Sequence, residues 1–253
     1  MKTTDNTILI TGGGSGIGRA LAEAFHTRGN RVIIAGRRRA ALDEVAAAHP
    51  GMATAVLDVT DAQDIDRFVR RIEREHPDLN VVINNAGIMR AEDWTAQTVD
   101  TATAQATIAT NLLAPIFLSA GLLPQLRKQT RSAVINVSSG LAFLPLAITP
   151  TYSATKAAIH SFSESLRHQL KDTNVEVIEI APPYVQTELM GAQQASDPHA
   201  MPLADFIDEV MRILETVPDA AEVLVQRVHR QRFAAEQGQA GYRELFAQVN
   251  GPR

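Results

Sequence analysis

The feature that most constrains this chain is an unbroken alternation of short β-branched runs with segments of helical spacing. The runs are Thr7 to Ile10, Arg31 to Ala35, Ala53 to Leu57, Asn80 to Ile83, Ala133 to Val137, Val175 to Ile180 and, more weakly, Glu222 to Val225. Between them, Ile17 to Arg28, Arg39 to Ala48 and Asp61 to His76 carry apolar residues at helical intervals and capping residues. Such alternation predicts an α/β fold with a doubly wound sheet of about seven mainly parallel strands and helices on both faces. No repeat, linker or low-complexity tract breaks the pattern, so residues 1–253 read as a single domain with a C-terminal helical extension. The clearest irregular stretch, Gly191 to Pro202, reads as a mobile loop.

Composition narrows the classes further. The chain is 45% hydrophobic and 21% charged with a formal charge of -4, which speaks against a nucleic-acid or membrane-surface binder. With no cysteine, disulfides, thiolate catalysis and cysteine metal sites are excluded. The seven histidines form no metal-ligand pattern, so no metal site is expected. Met1 to Thr7 lacks an apolar signal core, and a cytoplasmic location is expected. Thr101 to Leu126 carries no charge and is long enough to span a bilayer, but its Thr, Gln and Asn content favours a helix buried against a sheet.

The first strand runs directly into Gly12-Gly13-Gly14-Ser15-Gly16-Ile17-Gly18. In a Rossmann-type sheet such a turn lets the backbone approach a pyrophosphate and aims helix N-terminal N–H groups at it. The second strand ends on Gly36-Arg37-Arg38, where an NAD enzyme would place a carboxylate on the ribose 2′-hydroxyl. Gly36 has no carboxylate, and the guanidinium groups of Arg37 and Arg38 suit a 2′-phosphate, so NADP(H) is the expected cofactor. Asp58 and Val59 follow the third strand beside the expected adenine, with a turn or cap role as the alternative for Asp58. Asn85-Ala86-Gly87 follow the fourth strand at the crevice, where small residues permit close approach.

Tyr152 and Lys156 lie four apart on a helix expected to start after Pro150, so both face one side. Ser139 ends the preceding strand, and its hydroxyl and the phenol could converge on one carbonyl oxygen. A neighbouring ammonium favours the phenolate of a tyrosine whose ordinary pKa is roughly 10. Pro115, four residues after Asn111, cannot donate the helical bond to the Asn111 carbonyl and should kink the long apolar helix. Leu141 to Ile148 is strongly apolar beside Ser139 and favours an apolar carbonyl substrate.

Taken together, TGGGSGIG, NNAG, the serine thirteen residues before the tyrosine, and YSATK resemble the short-chain dehydrogenases/reductases over essentially the whole chain. The stretch from Asn136 to Phe143 and the charged C-terminal helices look more like the DltE-like branch of that family. The resemblance implies reversible hydride transfer between a carbonyl and an alcohol, with Asn111, Ser139, Tyr152 and Lys156 as a catalytic tetrad. In it Tyr152 exchanges the proton, Ser139 holds the substrate oxygen, Lys156 lowers the tyrosine pKa and binds the nicotinamide ribose, and Asn111 holds a relay water. Pro182-Pro183 departs from the usual Pro-Gly, while Val185 and Thr187 are expected at the nicotinamide carboxamide. The resemblance also implies a homodimer or homotetramer built on the long helices flanking the fifth strand. A catalytically silent nucleotide-binding sensor or scaffold on the same fold is the competing expectation.

Overall fold

The computed structural model describes residues 1–251. Seven strands form one sheet: β1 (Thr7–Thr11), β2 (Arg31–Gly36), β3 (Ala53–Val56), β4 (Val81–Asn84), β5 (Ser132–Val137), β6 (Val175–Ile180) and β7 (Glu222–Val223). Their order is β3-β2-β1-β4-β5-β6-β7, and all neighbours pair in parallel. The order reverses at β1, so the connections leaving β1 and β4 diverge and open a crevice at the carboxyl edge.

Both faces of the sheet are covered. On one, helices α1 (Gly16–Thr27), α2 (Arg39–Ala48) and α8 (Leu203–Thr216) bury Phe25, Leu42 and Phe206 against Ile8, Ile10 and Ile34. On the other, α3 (Ala62–Glu75), α5 (Ala114–Leu126) and α6 (Pro150–Leu170) bury Phe68, Leu118, Leu122 and Leu170 against Leu9, Val82 and Val134. Central strands buried on both sides explain their continuous apolar runs.

The apolar stretch Thr101–Leu126 is helical throughout, as α4 (Thr101–Ile108), a π-helical turn (Ala109–Leu113) and α5. By length and composition alone it could cross a membrane. Here α5 packs on α3, β4 and β5, while Ile108, Leu113 and Phe117, one from each part of the stretch, remain exposed. The π turn sits where Pro115 was expected to disturb the helix. The Ala114 N–H bonds to the Ala109 carbonyl five residues back, so the missing proline N–H is absorbed by a widened turn.

The segment expected as a mobile loop is instead pinned. It contains the short helix α7 (Ala192–Ala195), and Val185 and Met201 form a parallel bridge. Buried Gln194 donates to the Val185 carbonyl at 2.8 Å and to the Thr187 hydroxyl at 3.1 Å, and it accepts from the Met190 N–H at 3.0 Å. A side-chain amide thus satisfies backbone that composition alone marked as loop. Beyond β7, α9 (His229–Arg232) and α10 (Gly238–Asn250) return to the loop after β5, burying Leu144 with Ala234 and Leu245.

Because Phe206 is fully buried between α8 and the sheet, Phe206→Ala should cost about 3–5 kcal/mol of stability. A urea-denaturation series measures it, and a loss below about 1 kcal/mol would show that α8 is not part of the central core.

Candidate active site

The glycine turn is shaped by contacts that tolerate no side chain. Gly12 and Gly16 have positive φ angles, +69° and +54°. A Cβ on Gly18 would stand 2.3 Å from Asn85 Nδ2 and 2.4 Å from the Gly12 carbonyl oxygen. Asn85 occupies that space for a reason: its Nδ2 donates to the Thr11 carbonyl at 2.9 Å. The Thr11 hydroxyl in turn accepts from the N–H groups of Asn85 and Ala86, at 3.0 and 3.1 Å. The turns after β1 and β4 are therefore one hydrogen-bonded unit.

Ser15 precedes α1 without capping it through its side chain, which leaves the first-turn N–H groups and Ile17 at the edge of the crevice. Arg38 Nη2 donates to the Ser15 hydroxyl at 3.3 Å, and Arg37 and Arg38 are both exposed. A cleft of about 140 Å³ lies among Gly12, Ser15, Arg37, Arg38, Val59 and Gly87. A glycine cradle with an open helix N-terminus and cationic side chains at its rim is an arrangement that can receive phosphate groups. A larger hollow of about 330 Å³ lies at the opposite, amino edge of the sheet among Asn6, Arg31, Asp78 and Glu176, with no glycine cradle facing it.

Two expected cofactor residues have other work as well. The Asp58 carboxylate accepts from the Thr60 N–H and hydroxyl at 2.9 and 2.7 Å, the turn role that was its alternative. Those bonds, and Arg37 nearby, hold it below its ordinary value. Val185 buries its side chain in the core and gives its carbonyl to Gln194, which leaves only its N–H for a ligand. Thr187 reaches across the crevice: its Cγ2 lies 3.6 Å from where a Gly16 Cβ would be. Pro183 supplies no N–H, but the Pro182 carbonyl accepts from the Gly140 N–H at 2.8 Å and so fixes the turn after Ser139.

Ser139, Tyr152, Lys156 and Asn111 come together at this edge, each buried. The Tyr152 phenol lies beside Ser139, whose oxygen accepts the Leu141 N–H at 3.1 Å. Ser138 turns away, its hydroxyl 3.4 Å from the Ile180 carbonyl. Lys156 Nζ donates to the Val137 carbonyl at 2.8 Å and lies 5.5 Å from the centre of the Tyr152 ring. Asn111 holds the turn after β4 through the Ile88 N–H and carbonyl, both at 2.9 Å. A Cβ on Gly87 would approach Asn111 Oδ1 to 3.4 Å and Lys156 Nζ to 3.8 Å, so this glycine keeps the centre open. Glu92 accepts from the Thr151 N–H and hydroxyl at the start of α6, which anchors the helix carrying Tyr152 and Lys156.

The electrostatics differ from the sequence expectation. Burial pushes the Tyr152 phenol up to about 12, with the neighbouring Ser139 side chain pulling the other way. It pushes Lys156 down to about 8. Lys156 makes its hydrogen bond to the backbone rather than to the phenol, so desolvation outweighs any pull on the tyrosine.

The sequence reading missed a cluster behind Lys156. His160 on α6, Glu179 on β6 and Glu222 on β7 bring a ring nitrogen and two carboxylate oxygens within 4.8 Å of one another. Arg232 on α9 closes it with two bonds to Glu222, at 2.8 and 3.0 Å. The available signal was Glu179 itself, one of two glutamates in a strand whose other residues are apolar.

The chain is similar to known proteins over most of its length. Residues 6–198 match the family model described as short chain dehydrogenase. The uncharacterized oxidoreductase DltE of Bacillus subtilis (strain 168) is 43% identical over 253 residues, covering 99% of this chain and 98% of that protein. A short chain dehydrogenase from Burkholderia cenocepacia J2315, solved in complex with NADP, superposes with a TM-score of 0.81 at 26% identity, with both chains fully covered. One from Burkholderia phymatum in complex with NAD shares the fold, with a TM-score of 0.82 at 19% identity over 100% of this chain and 99% of that one.

The depressed Lys156 makes a stability prediction. Its pKa is about 8 in the folded chain and ordinarily 10.5, so below pH 8 both states are protonated and the folded state carries the full cost of burying the ammonium. As pH rises from 8 toward 10 the unfolded chain holds the extra proton, and that cost is relieved. Tyr152, raised above 10, acts in the opposite direction only above that value. The melting temperature of the wild type relative to Lys156→Met should therefore climb between pH 8 and pH 10, and a flat difference would contradict the burial of a charged lysine.

Proposed function

The chain belongs to the short-chain dehydrogenase family, and on that premise we propose that it is an NADP(H)-dependent oxidoreductase interconverting a carbonyl and an alcohol, with Tyr152 as proton donor and acceptor. The observation that carries this reading is that Tyr152 and Ser139 are buried side by side, with Lys156 one helical turn from the tyrosine, at the carboxyl edge where the glycine cradle lies. The cradle residues Gly12 and Gly18, the uncapped start of α1, and Arg37 and Arg38 would hold the dinucleotide. Lys156, Asn85, Gly87 and Thr187 would border its nicotinamide end. When bound, the nicotinamide supplies or accepts the hydride.

The protein's own contribution is orientation and a tuned acid. The neighbouring Ser139 hydroxyl and Tyr152 phenol would together hold the substrate oxygen. A phenol raised to about 12 keeps its proton at neutral pH, which suits donation to an oxygen that gains negative charge. Lys156, at about 8, stays mostly charged at pH 7 and stabilises negative charge near the phenol. Asn111, within the π turn and anchored to Ile88, would hold the water through which the proton is replaced. The apolar residues after Ser139, with Ile148 exposed, favour an apolar carbonyl compound.

Replacing the acid gives the direct test. Tyr152→Phe should reduce NADPH-dependent carbonyl reduction by roughly 10²–10⁴-fold, the usual contribution of a general acid, while NADPH affinity changes little. Substantial residual turnover would remove Tyr152 from the chemistry, and a wild type that binds NADPH but reduces no carbonyl would favour a silent nucleotide-binding protein.

Cofactor choice follows from the end of β2. Gly36 places no carboxylate there, and the arginines offer charge-assisted hydrogen bonds worth about 1.5–3 kcal/mol each. At about 1.4 kcal/mol per decade, one such bond gives roughly ten- to hundredfold preference for NADPH over NADH. Gly36→Asp with Arg37→Ala should reverse it by adding repulsion and removing attraction. Dissociation constants for both cofactors on both proteins decide the point; tighter NADH binding by the wild type would reduce the arginines to a solvated helix start.

A further inference from the structure

The cluster behind Lys156 is built by sheet register. Asn84, Asn136, Glu179 and Glu222 stand side by side on β4, β5, β6 and β7, so their side chains form one row across four strands. The row begins neutral: Asn84 donates to Asn136 and to Ser119, and Asn136 donates to Ser163. It then becomes charged. Glu179 is fully buried, one oxygen accepting from His160 Nδ1 at 2.8 Å and the other without a hydrogen-bond partner.

A carboxylate wholly removed from water needs a standing counter-charge. The charged and titratable groups facing Glu179 are few. Helix α6 presents Lys156, His160 and, at its exposed side, Glu164, whose carboxylate is 3.7 Å from His160 Nε2. Strand β7 presents Glu222, and α9 presents Arg232. Arg167, one turn further along α6, spends its guanidinium on the carbonyls of Val177 and Ala221. Arg232 is committed to Glu222 by a two-point fork and lies over the Phe143 ring at 4.7 Å. His160 holds Glu179 in place, packed edge-on against Phe143, but it loses its charge as pH rises. Arg232 is shared, bonded to Glu222 and within electrostatic reach of Glu179, so beyond His160 and Arg232 the cation facing Glu179 is Lys156.

We propose that Glu179 is a positioning residue for Lys156: its buried carboxylate, fixed by His160 and flanked by the Glu222–Arg232 fork, is the counter-charge that keeps the Lys156 ammonium charged at the active edge. This rests on the reading that Lys156 works with Tyr152. Lys156 donates to the carbonyl of Val137, the residue next to Asn136 in the row, so the ammonium and the carboxylate are set by the same two strands. Burial pushes Lys156 down, and Glu179 is the charged group that opposes it. The fork also ties the C-terminal segment to the centre, since Arg232 belongs to α9 and the neighbouring Gln231 packs on Gly140 beside Ser139.

The chain has four lysines, Lys2, Lys128, Lys156 and Lys171, so selective ¹³C-lysine labelling gives a readable titration by NMR, with Lys156→Arg identifying the signal. In Glu179→Gln the Lys156 midpoint should fall by about one pH unit, the scale of losing a nearby opposite charge. In Glu179→Asp, which keeps the carboxylate, it should stay within about a few tenths of the wild-type value. An unmoved midpoint in Glu179→Gln, or an equal fall in Glu179→Asp, overturns the proposal. If Glu179→Gln does not fold, His160→Gln keeps the carboxylate and a donor to it: a Lys156 midpoint equal to or above the wild type supports the counter-charge, and a fall overturns it. In the active enzyme the alkaline limb of kcat/KM moves down with the lysine, which a merely structural loss would not produce. The titration needs no turnover, so a wild type that reduces no carbonyl refutes the catalytic reading while the counter-charge stands or falls by its own measurement.

Discussion

Parallel pairing is the constraint on which the rest depends. With every strand running the same way, the turns after β1, β2, β4, β5 and β6 all emerge at one edge and must share one small volume. Backbone polar groups at that edge no longer have ladder partners, and they must find others without filling the crevice. Thr11 and Asn85 solve this between β1 and β4, and the Gly140–Pro182 bond solves it between β5 and β6. The glycines are the geometric consequence. Where two turns lie within hydrogen-bonding distance, a Cβ at Gly18 would fall inside the contact.

The same register organises charge. Residues aligned across parallel strands point to one face, so Asn84, Asn136, Glu179 and Glu222 become neighbours although they are widely separated in the chain. A polar row inside an apolar sandwich carries a desolvation cost, offset here by Ser119, Ser163, His160 and Arg232 from the covering helices. Desolvation also governs the two ionisable groups at the centre. It moves Tyr152 and Lys156 in opposite directions, each toward its neutral form. A low-dielectric centre of this kind strengthens whatever fixed charge remains beside it.

The C-terminal helices are more than a cover. Leu144, in the loop after Ser139, is buried with Ala234 and Leu245, and Asn250 reaches back to the Pro145 carbonyl and the Ala147 N–H. The wall of the crevice on this side is thus assembled from segments about a hundred residues apart in sequence, joined by packing as well as by Arg232. The ordered turn around α7 closes the neighbouring side through Gln194.

Much of this was legible in the sequence because the signals are local. Helix α2 spans Arg39–Ala48 as its periodicity indicates, α6 starts at Pro150, one residue before the expected start, and the glycine turn announces its own backbone. The spacing of Tyr152 and Lys156, and the serine thirteen residues before the tyrosine, were likewise fixed by the chain alone. Tertiary structure decided what depends on neighbours distant in sequence. It turned the Gly191–Pro202 segment into a pinned turn through one buried glutamine and directed Val185 into the core. It also raised the tyrosine that spacing alone had marked for depression and set Glu179 behind Lys156. Periodicity and turn chemistry report on residues within a few positions of each other, whereas desolvation and charge pairing depend on which surfaces the fold removes from water, and that is settled only when the strands lie side by side.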